Sequence, residues 1–495
     1  MMTPKRKKIA LVILDGYGIA KDSSTNAITQ AQPKFLNSLA AKYPSLKLHA
    51  SGEKVGLKPD QFGNSEHGHM SIGAGRIIYT DNMYVNQKIK QPNFQHDLLD
   101  NIKGERVHLV GIYSRGQVHG NHEHILFLIR YLVQQNKHVL LHLIIDGRDT
   151  KPMVFKNHYE ELNELIKDQK ISIKSISGRY FAMDRDQRWE RVQKAYNAMF
   201  IQHKQTDLKK FINDQQAQNI SDEFVEPISL GDEVLQPNET VIITNYRADR
   251  ILQLIHLLKP QSQFTYVNPQ HIQPINIFSL THLKQTDLPF LFSQPVLKNI
   301  LDDVLQASQI KQARIAETEK YAHVTYFFDA QTKRQHPFKK FFHIPSPRVQ
   351  NYEQTPGMSA SLLTKTVKEQ YDNFDFFVIN YANADLLGHT GDLKATIKSI
   401  QLLDETLADL YDFFVSKKQQ TMIITADHGN AEVMYEDNSI CKSHTTNPVP
   451  FIITDPSLKL RSGDFSIAHI AATILDYWNL KVPQEMLSSM IDKDK

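Results

Sequence analysis

Ile9-Ala10-Leu11-Val12-Ile13-Leu14 runs directly into Asp15-Gly16-Tyr17-Gly18. A short unbroken apolar run of this kind fits a strand buried on both faces, as in a parallel sheet covered by helices. A carboxylate at the carboxyl end of such a strand stands where open α/β sheets bind their ligands. The pattern recurs along the chain. Residues 107–113 lead into a loop ending at His119, and 138–145 lead into Asp146-Gly147-Arg148-Asp149-Thr150. Residues 171–176 lead into Ser177-Gly178-Arg179-Tyr180, and 241–244 into Asn245-Tyr246-Arg247-Ala248-Asp249-Arg250. Residues 374–379 lead into Asn380, and 421–425 into Ala426-Asp427-His428-Gly429-Asn430. Amphipathic stretches at 33–42, 153–167, 188–203 and 393–415 predict helices between these strands. The alternation predicts an α/β protein with largely parallel sheets.

The clusters after the strands divide by chemistry. Those near the N-terminus and after residue 380 carry Asp and His, whereas those between about 110 and 250 are rich in Arg. This predicts two α/β domains, the middle one (80–296) inserted into a discontinuous one (1–79 and 297–495). Crossings are expected near Gly73-Ala74-Gly75 and within 293–311.

Composition narrows the class. Of 495 residues, 41% are hydrophobic and 22% charged, as in a folded soluble protein. A net charge of +3 is too balanced to argue for nucleic acid or an anionic membrane as partner. Cys441 is the single cysteine, which excludes an intramolecular disulfide and fits a reducing compartment. Lys5 to Lys8 before Ile9 imitate the start of a signal peptide, but the apolar run is shorter than the ~7–15 residues of an h-region. No segment approaches the roughly 18 apolar residues of a membrane span. The expectation is a cytoplasmic enzyme.

Gly63-Asn64-Ser65-Glu66-His67-Gly68-His69-Met70 reads as a loop presenting Ser65 at a bend. Taken alone, Ser65 is a turn serine. Asp385 and His389 are four residues apart, on one face if they lie on a helix, while Asp427 and His428 are adjacent at a strand end and His444 follows. With Asp15 and Ser65 these make seven candidate ligands, all oxygen or nitrogen, a set suited to divalent manganese or zinc. Two such ions clamp the oxygens of an in-line phosphoryl displacement, and a serine hydroxyl beside one becomes a nucleophile near neutral pH. The plainer reading of any one Asp–His pair is a cap or a hydrogen bond. Arg148, Arg179, Arg185, Arg247 and Arg250 suit a small, highly charged anion if they converge, and solvated surface positions if they do not. Asp149 beside Arg148 is a candidate proton acceptor from a substrate hydroxyl. His108, His138, His142 and His282 read as structural, and Cys441 as a spectator.

The motifs LVILDGYG, GNSEHGHM, DGRDT, SGRYFAMDRDQRWER, NYRADR, KYAHVTYFF, NYANADLLGHTG, TADHGNAE and SHTTNPVPFI run in order from residue 11 to 452. In these the chain resembles the cofactor-independent phosphoglycerate mutases of the alkaline phosphatase superfamily. The resemblance implies interconversion of 3-phosphoglycerate and 2-phosphoglycerate, a small-molecule substrate, by a protein commonly monomeric. It implies two Mn²⁺ ions, one held by Asp15, Ser65, Asp427 and His428, the other by Asp385, His389 and His444. Ser65 is then the residue that becomes phosphoserine, and Lys320 sits at the phosphoryl group. His119, Arg148, Asp149, Arg179, Arg185, Arg247 and Arg250 would hold the substrate. The two-domain build it implies is a phosphatase-like metal domain with an inserted transferase domain, and closure of the latter would keep water from the phosphoserine. His67, Arg115, Gln117 and Asn121 depart from the family pattern, which more often shows valine, aspartate, glycine and a second histidine there. A related metallophosphatase or phosphopentomutase and a non-catalytic binder are the rival readings. The arginine set and the intact Ser65 argue against them in turn.

Overall fold

The computed structural model describes residues 6–493 except 93, 166–169, 203–205, 269, 273, 333 and 438. The chain forms two compact units, Met1–Thr80 with Val296–Lys495, and Asp81–Pro295.

The first unit is built on a seven-stranded sheet in the order Lys339–Ile344, Gln312–Glu317, Phe376–Tyr381, Ile9–Leu14, Thr421–Thr425, Val449–Ile453, Ser45–Leu48. The first five strands are parallel and the last two antiparallel to their neighbours. Ile9–Leu14 lies at the centre, buried along its whole length, as its continuous apolar run requires. It pairs Ile9 with both Phe376 and Thr421, so Asp15, Asn380 and Asp427 reach the same sheet edge. Apolar residues of Lys34–Lys42, Ala360–Gln370, Leu393–Tyr411 and Ile470–Tyr477 join the sheet in one core.

The second unit holds another seven-stranded sheet, ordered Ile228–Ser229, Ile171–Gly178, His138–Ile145, Arg106–Ile112, Thr240–Ile243, Asn276–Thr281, Phe290–Phe292. Only the first pair is antiparallel. Successive side chains alternate between two cores, Leu109 and Ile242 in one, Val110, Val241 and Ile243 in the other, as the pleat dictates. His108 and His142, read as structural, are buried and hydrogen-bonded in a row from Glu239 to Ser175. The α/β class with largely parallel sheets is what the structure shows.

Three local expectations are corrected. The stretch around Ser65 is a helix, Ser65–Ala74, and not a loop: the Asn64 side chain accepts from His67 N and caps it. Gly73-Ala74-Gly75 is therefore no crossing but the end of this helix, closed by Gly75 in the left-handed region. Asn380 lies inside its strand, which runs Phe376–Tyr381 rather than ending at 379. The expected helices appear as Lys34–Lys42, Phe155–Leu165, Trp189–Phe200 and Leu393–Tyr411. Residues 166 and 167 of the second and 203 of the third lie outside the described residues.

Candidate active site

Three strand ends and one helix start build the centre of the first unit. Asp15 follows the central strand, and Gly16 beside it takes φ 75°, where an added Cβ would stand 2.6 Å from the Asp385 Cα. Glycine thus lets the helix Asn383–Thr390 pack its first turn against the Asp15 turn, where Asp385 N donates to Asp15 O at 2.9 Å. Gly68 does the same for the Ser65 helix, since a Cβ there would meet the Asp427 carbonyl at 2.7 Å.

Ser65 sits in the first turn of its helix, nearly buried. Its Oγ donates to Asp15 Oδ1 at 3.1 Å and lies 2.9 Å from His428 Nε2. Lys320 Nζ donates to Ser65 Oγ (2.8 Å), Asp15 Oδ1 (2.8 Å) and Asp385 Oδ2 (2.6 Å). The site opens on a cleft of about 500 Å³ lined in part by Ser65, Lys320, Asp385, His389 and His444.

The candidate ligands gather in two groups, Asp15 with Asp427 and His428, and Asp385 with His389 and His444. In the second, His389 Nδ1 donates to the Lys442 carbonyl (2.7 Å) and His444 Nδ1 to that of Gly63 (2.8 Å). Each ring proton is thereby held outside, and the two Nε2 atoms face each other at 3.0 Å, both 3.2 Å from Asp385 Oδ1. His428 Nδ1 likewise meets the Gly429 carbonyl at 3.3 Å, leaving Nε2 toward Ser65 and Asp15. Backbone-held imidazoles with inward lone pairs are the arrangement that presents histidine to a cation. The charges point the same way. Three buried carboxylates, Asp15, Asp385 and Asp427, face one ammonium, Lys320, a surplus that burial tolerates only when cations or protons join it.

The acid–base shifts follow from that crowding. Burial and the Asp427 carboxylate push Asp15 up. Burial also raises Asp385, but Lys320, His389 and His444 outweigh it and hold the carboxyl well below the usual range. Burial lowers Lys320, yet Asp15, Asp385 and Asp427 together raise it, so it stays an ammonium. The hydrogen bond with Asp385 raises His389, and the same carboxylate raises His444 against the cost of burial.

The second unit holds the arginine set at the ends of its own strands. Arg179 is buried, its Nη1 shared between Asp146 Oδ1 (2.7 Å) and Asp149 Oδ2 (2.5 Å). Asp146 also accepts from Arg148 N, Asp149 N and Ser114 Oγ, making it the hub of the Asp146–Asp149 turn. Arg185 and Arg247 both approach Asp249, at 3.8 and 3.5 Å, and are half exposed. Arg148 reaches Glu223 at 3.3 Å. Burial, then the neighbouring Arg185, Arg179 and Arg148, lower Arg250. His119 lies between Asp149 (4.0 Å) and Asp249 (3.8 Å), and its buried Nδ1 has no hydrogen-bond partner. Burial, Arg179 and Arg247 push it down to about 4, so it is neutral near pH 7.

The departing residues find local partners. His67 is buried, with Nε2 donating to the Val55 carbonyl at 2.6 Å, and burial lowers its pKa. Asn82 donates to Gln117 Oε1 (3.0 Å) and accepts from Asn121 Nδ2 (2.9 Å), tying both to the helix Asp81–Ile89. Arg115 pairs with Glu161. Sequence reasoning missed Asp146, His69, Asn380 and Glu432. Glu432 accepts from Gly18 N, Asn430 N, Thr445 Oγ1 and Asn447 Nδ2, joining the turn after Asp15 to the His428 and His444 segments. His69 could have been found as the residue one helical turn beyond Ser65.

A model of the metalloenzyme superfamily matches residues 7–482. The 2,3-bisphosphoglycerate-independent phosphoglycerate mutase of Ureaplasma urealyticum is 48% identical over 98% of this chain and 99% of its own length. The mutase of the same name from Mycoplasma genitalium is 40% identical over 99% of each. A crystal structure of Leishmania mexicana phosphoglycerate mutase at low cobalt concentration superposes with TM-score 0.58 and 25% identity, over 99% of both chains. The chain belongs to the metalloenzyme superfamily and, within it, to the family of the 2,3-bisphosphoglycerate-independent phosphoglycerate mutases.

Proposed function

We propose that this protein interconverts 3-phosphoglycerate and 2-phosphoglycerate through a phosphoserine on Ser65, with two divalent cations and no 2,3-bisphosphoglycerate. The observation that carries the reading is the meeting of Ser65 Oγ with Asp15, His428 and Lys320, all within 3.1 Å. The relatives' shared name supports it. One cation is assigned to Asp15, Ser65, Asp427 and His428, the other to Asp385, His389 and His444, and Mn²⁺ suits such mixed carboxylate and imidazole donors. Bound there, the cations would lower the serine hydroxyl's pKa and neutralise charge on the transferring phosphoryl oxygens.

The chain's own residues supply the rest. Ser65 Oγ attacks phosphorus in line, and the bond from phosphorus to the glycerate oxygen breaks. The hydroxyl proton has an acceptor in reach in Asp15 Oδ1, since the single lone pair of His428 Nε2 would hold the cation. Lys320, held as an ammonium, places positive charge beside the oxygen that receives the phosphoryl group. Asp149, fixed by Arg179, gives a proton to the departing glycerate hydroxyl and takes one from the hydroxyl that attacks next. Arg148, Arg179, Arg185, Arg247, Arg250 and neutral His119 are assigned to the anionic substrate. We also propose action in the cytoplasm, where a single-cysteine chain needs no oxidising environment, and as a monomer.

The test is conversion of 3-phosphoglycerate by purified protein without added 2,3-bisphosphoglycerate. Activity should vanish in EDTA and return with Mn²⁺. Inorganic phosphate as the main product would overturn the mutase reading in favour of a phosphatase.

A further inference from the structure

His69 and Asn380 are both wholly buried behind the Ser65 centre. Asn380 Nδ2 lies 2.7 Å from Asp15 Oδ2 and 3.0 Å from His69 Nε2. Its orientation is fixed by chemistry, because turning the amide would set its oxygen against the Asp15 carboxylate. Both N–H groups of that amide are thereby used, one toward Asp15 and one toward His69, so His69 Nε2 accepts. The ring proton must then sit on Nδ1, which is 2.8 Å from the Ser65 carbonyl and 3.1 Å from Asp427 Oδ2. Asp427 Oδ2 is buried and has no in-line hydrogen-bond donor, so the His69 N–H is its neighbouring positive dipole. Gly68 permits the approach, since any Cβ there would collide with the Asp427 backbone.

We infer that His69 and Asn380 are positioning residues: one relay, hydrogen-bonded to Asp15 and the Ser65 backbone and set with its ring N–H against Asp427, that fixes these relative to one another and so sets the cation affinity of that group. The inference rests on the proposed role of Asp15 and Asp427 as cation ligands. The relay touches the Asp15–Asp427–His428 group alone, whereas Asp385, His389 and His444 take their outer partners from Asn430, Lys442 and Gly63. Its loss should therefore be felt chiefly at the first group, with only an indirect effect on the second through Lys320.

The experiment titrates Mn²⁺ into the full chain and into His69→Leu, His69→Asn and Asn380→Ala by calorimetry, with kcat and KM measured alongside. The expected result is two ions per unvaried chain. In His69→Leu and Asn380→Ala one of the two should bind roughly 10–100-fold more weakly, the usual effect of losing an outer partner, and the other should change far less. The amide N–H of His69→Asn can replace the Nδ1–H, so this variant should recover most of the affinity, and kcat should follow affinity more than KM. Unchanged binding in folded His69→Leu, or equal weakening of both ions, overturns the inference. If His69→Leu does not fold, Asn380→Ala decides by the same criteria. An unvaried chain that binds no Mn²⁺ contradicts the proposed cation ligands themselves, and the inference falls with them.

Discussion

The Lys320 ammonium lies 2.8 Å from the hydroxyl oxygen of Ser65. The same nitrogen holds a carboxylate from each candidate cation group, Asp15 and Asp385. On the proposed function, a side chain so placed would set the position of the nucleophile and supply charge where the phosphoryl group arrives.

Lys320→Met keeps the length of the side chain and removes the charge. It is expected to lower kcat by about 10²–10³-fold, the range for losing one preorganised electrostatic donor, with KM little changed. Without added cations its thermal midpoint should also drop, because Asp15 and Asp385 lose their buried partner. Steady-state kinetics and calorimetry check both.

Arg179 and Asp149 should behave as one unit. The buried guanidinium holds Asp149 Oδ2 at 2.5 Å, so Arg179→Gln and Asp149→Asn each release the same carboxylate geometry. The double variant is expected to lose little more activity than the worse single one, a coupling of about 0.5–3 kcal/mol in the cycle. Fully additive losses would separate the two roles. Arg148→Gln, at a largely exposed position, should chiefly raise KM.

Acid should destabilise the second unit. His119 and His124 are buried and pushed by burial down to about 4 and about 3. Both are neutral when folded, whereas the unfolded chain takes up their protons near pH 6.5. Their contribution is thus complete above about pH 6.5 and is lost as pH falls toward their folded values. The thermal midpoint should decline by several degrees from neutrality to about pH 5, and less in the His119→Gln and His124→Gln variants.

The strands legible in the sequence were those whose burial is written in apolar residues, such as Ile9–Leu14 and His138–Ile145. Gln312–Glu317 is just as buried but escaped, because Arg314 and Gln312 are held by Asp302 and read as polar surface. Ser45–Leu48 and Lys339–Ile344 are partly exposed sheet-edge strands whose few apolar residues are mixed with lysine, serine or histidine and give no continuous run. The Ser65 helix was hidden by its glycines, which favour turns in isolation and here serve close packing, Gly68 on Asp427 and Gly73 on Phe328. The acidic and histidine residues stood out singly at strand ends. Their meeting did not, since Asp15 and Asp427 come together only through the register of their two strands. Asn380 and Glu432 carry no local pattern that marks their roles, because the partners that matter, His69 for Asn380 and Gly18 for Glu432, are distant in the chain.

The most direct test of the account asks whether Ser65 carries the phosphoryl group. Protein turning over ³²P-labelled 3-phosphoglycerate is quenched in acid, and its peptides are mapped by mass spectrometry. The account predicts label on Ser65 that disappears when unlabelled substrate is added, and neither label nor mutase activity in Ser65→Ala. Mutase activity in Ser65→Ala, or turnover by the unvaried protein with no phosphate on Ser65, would contradict it.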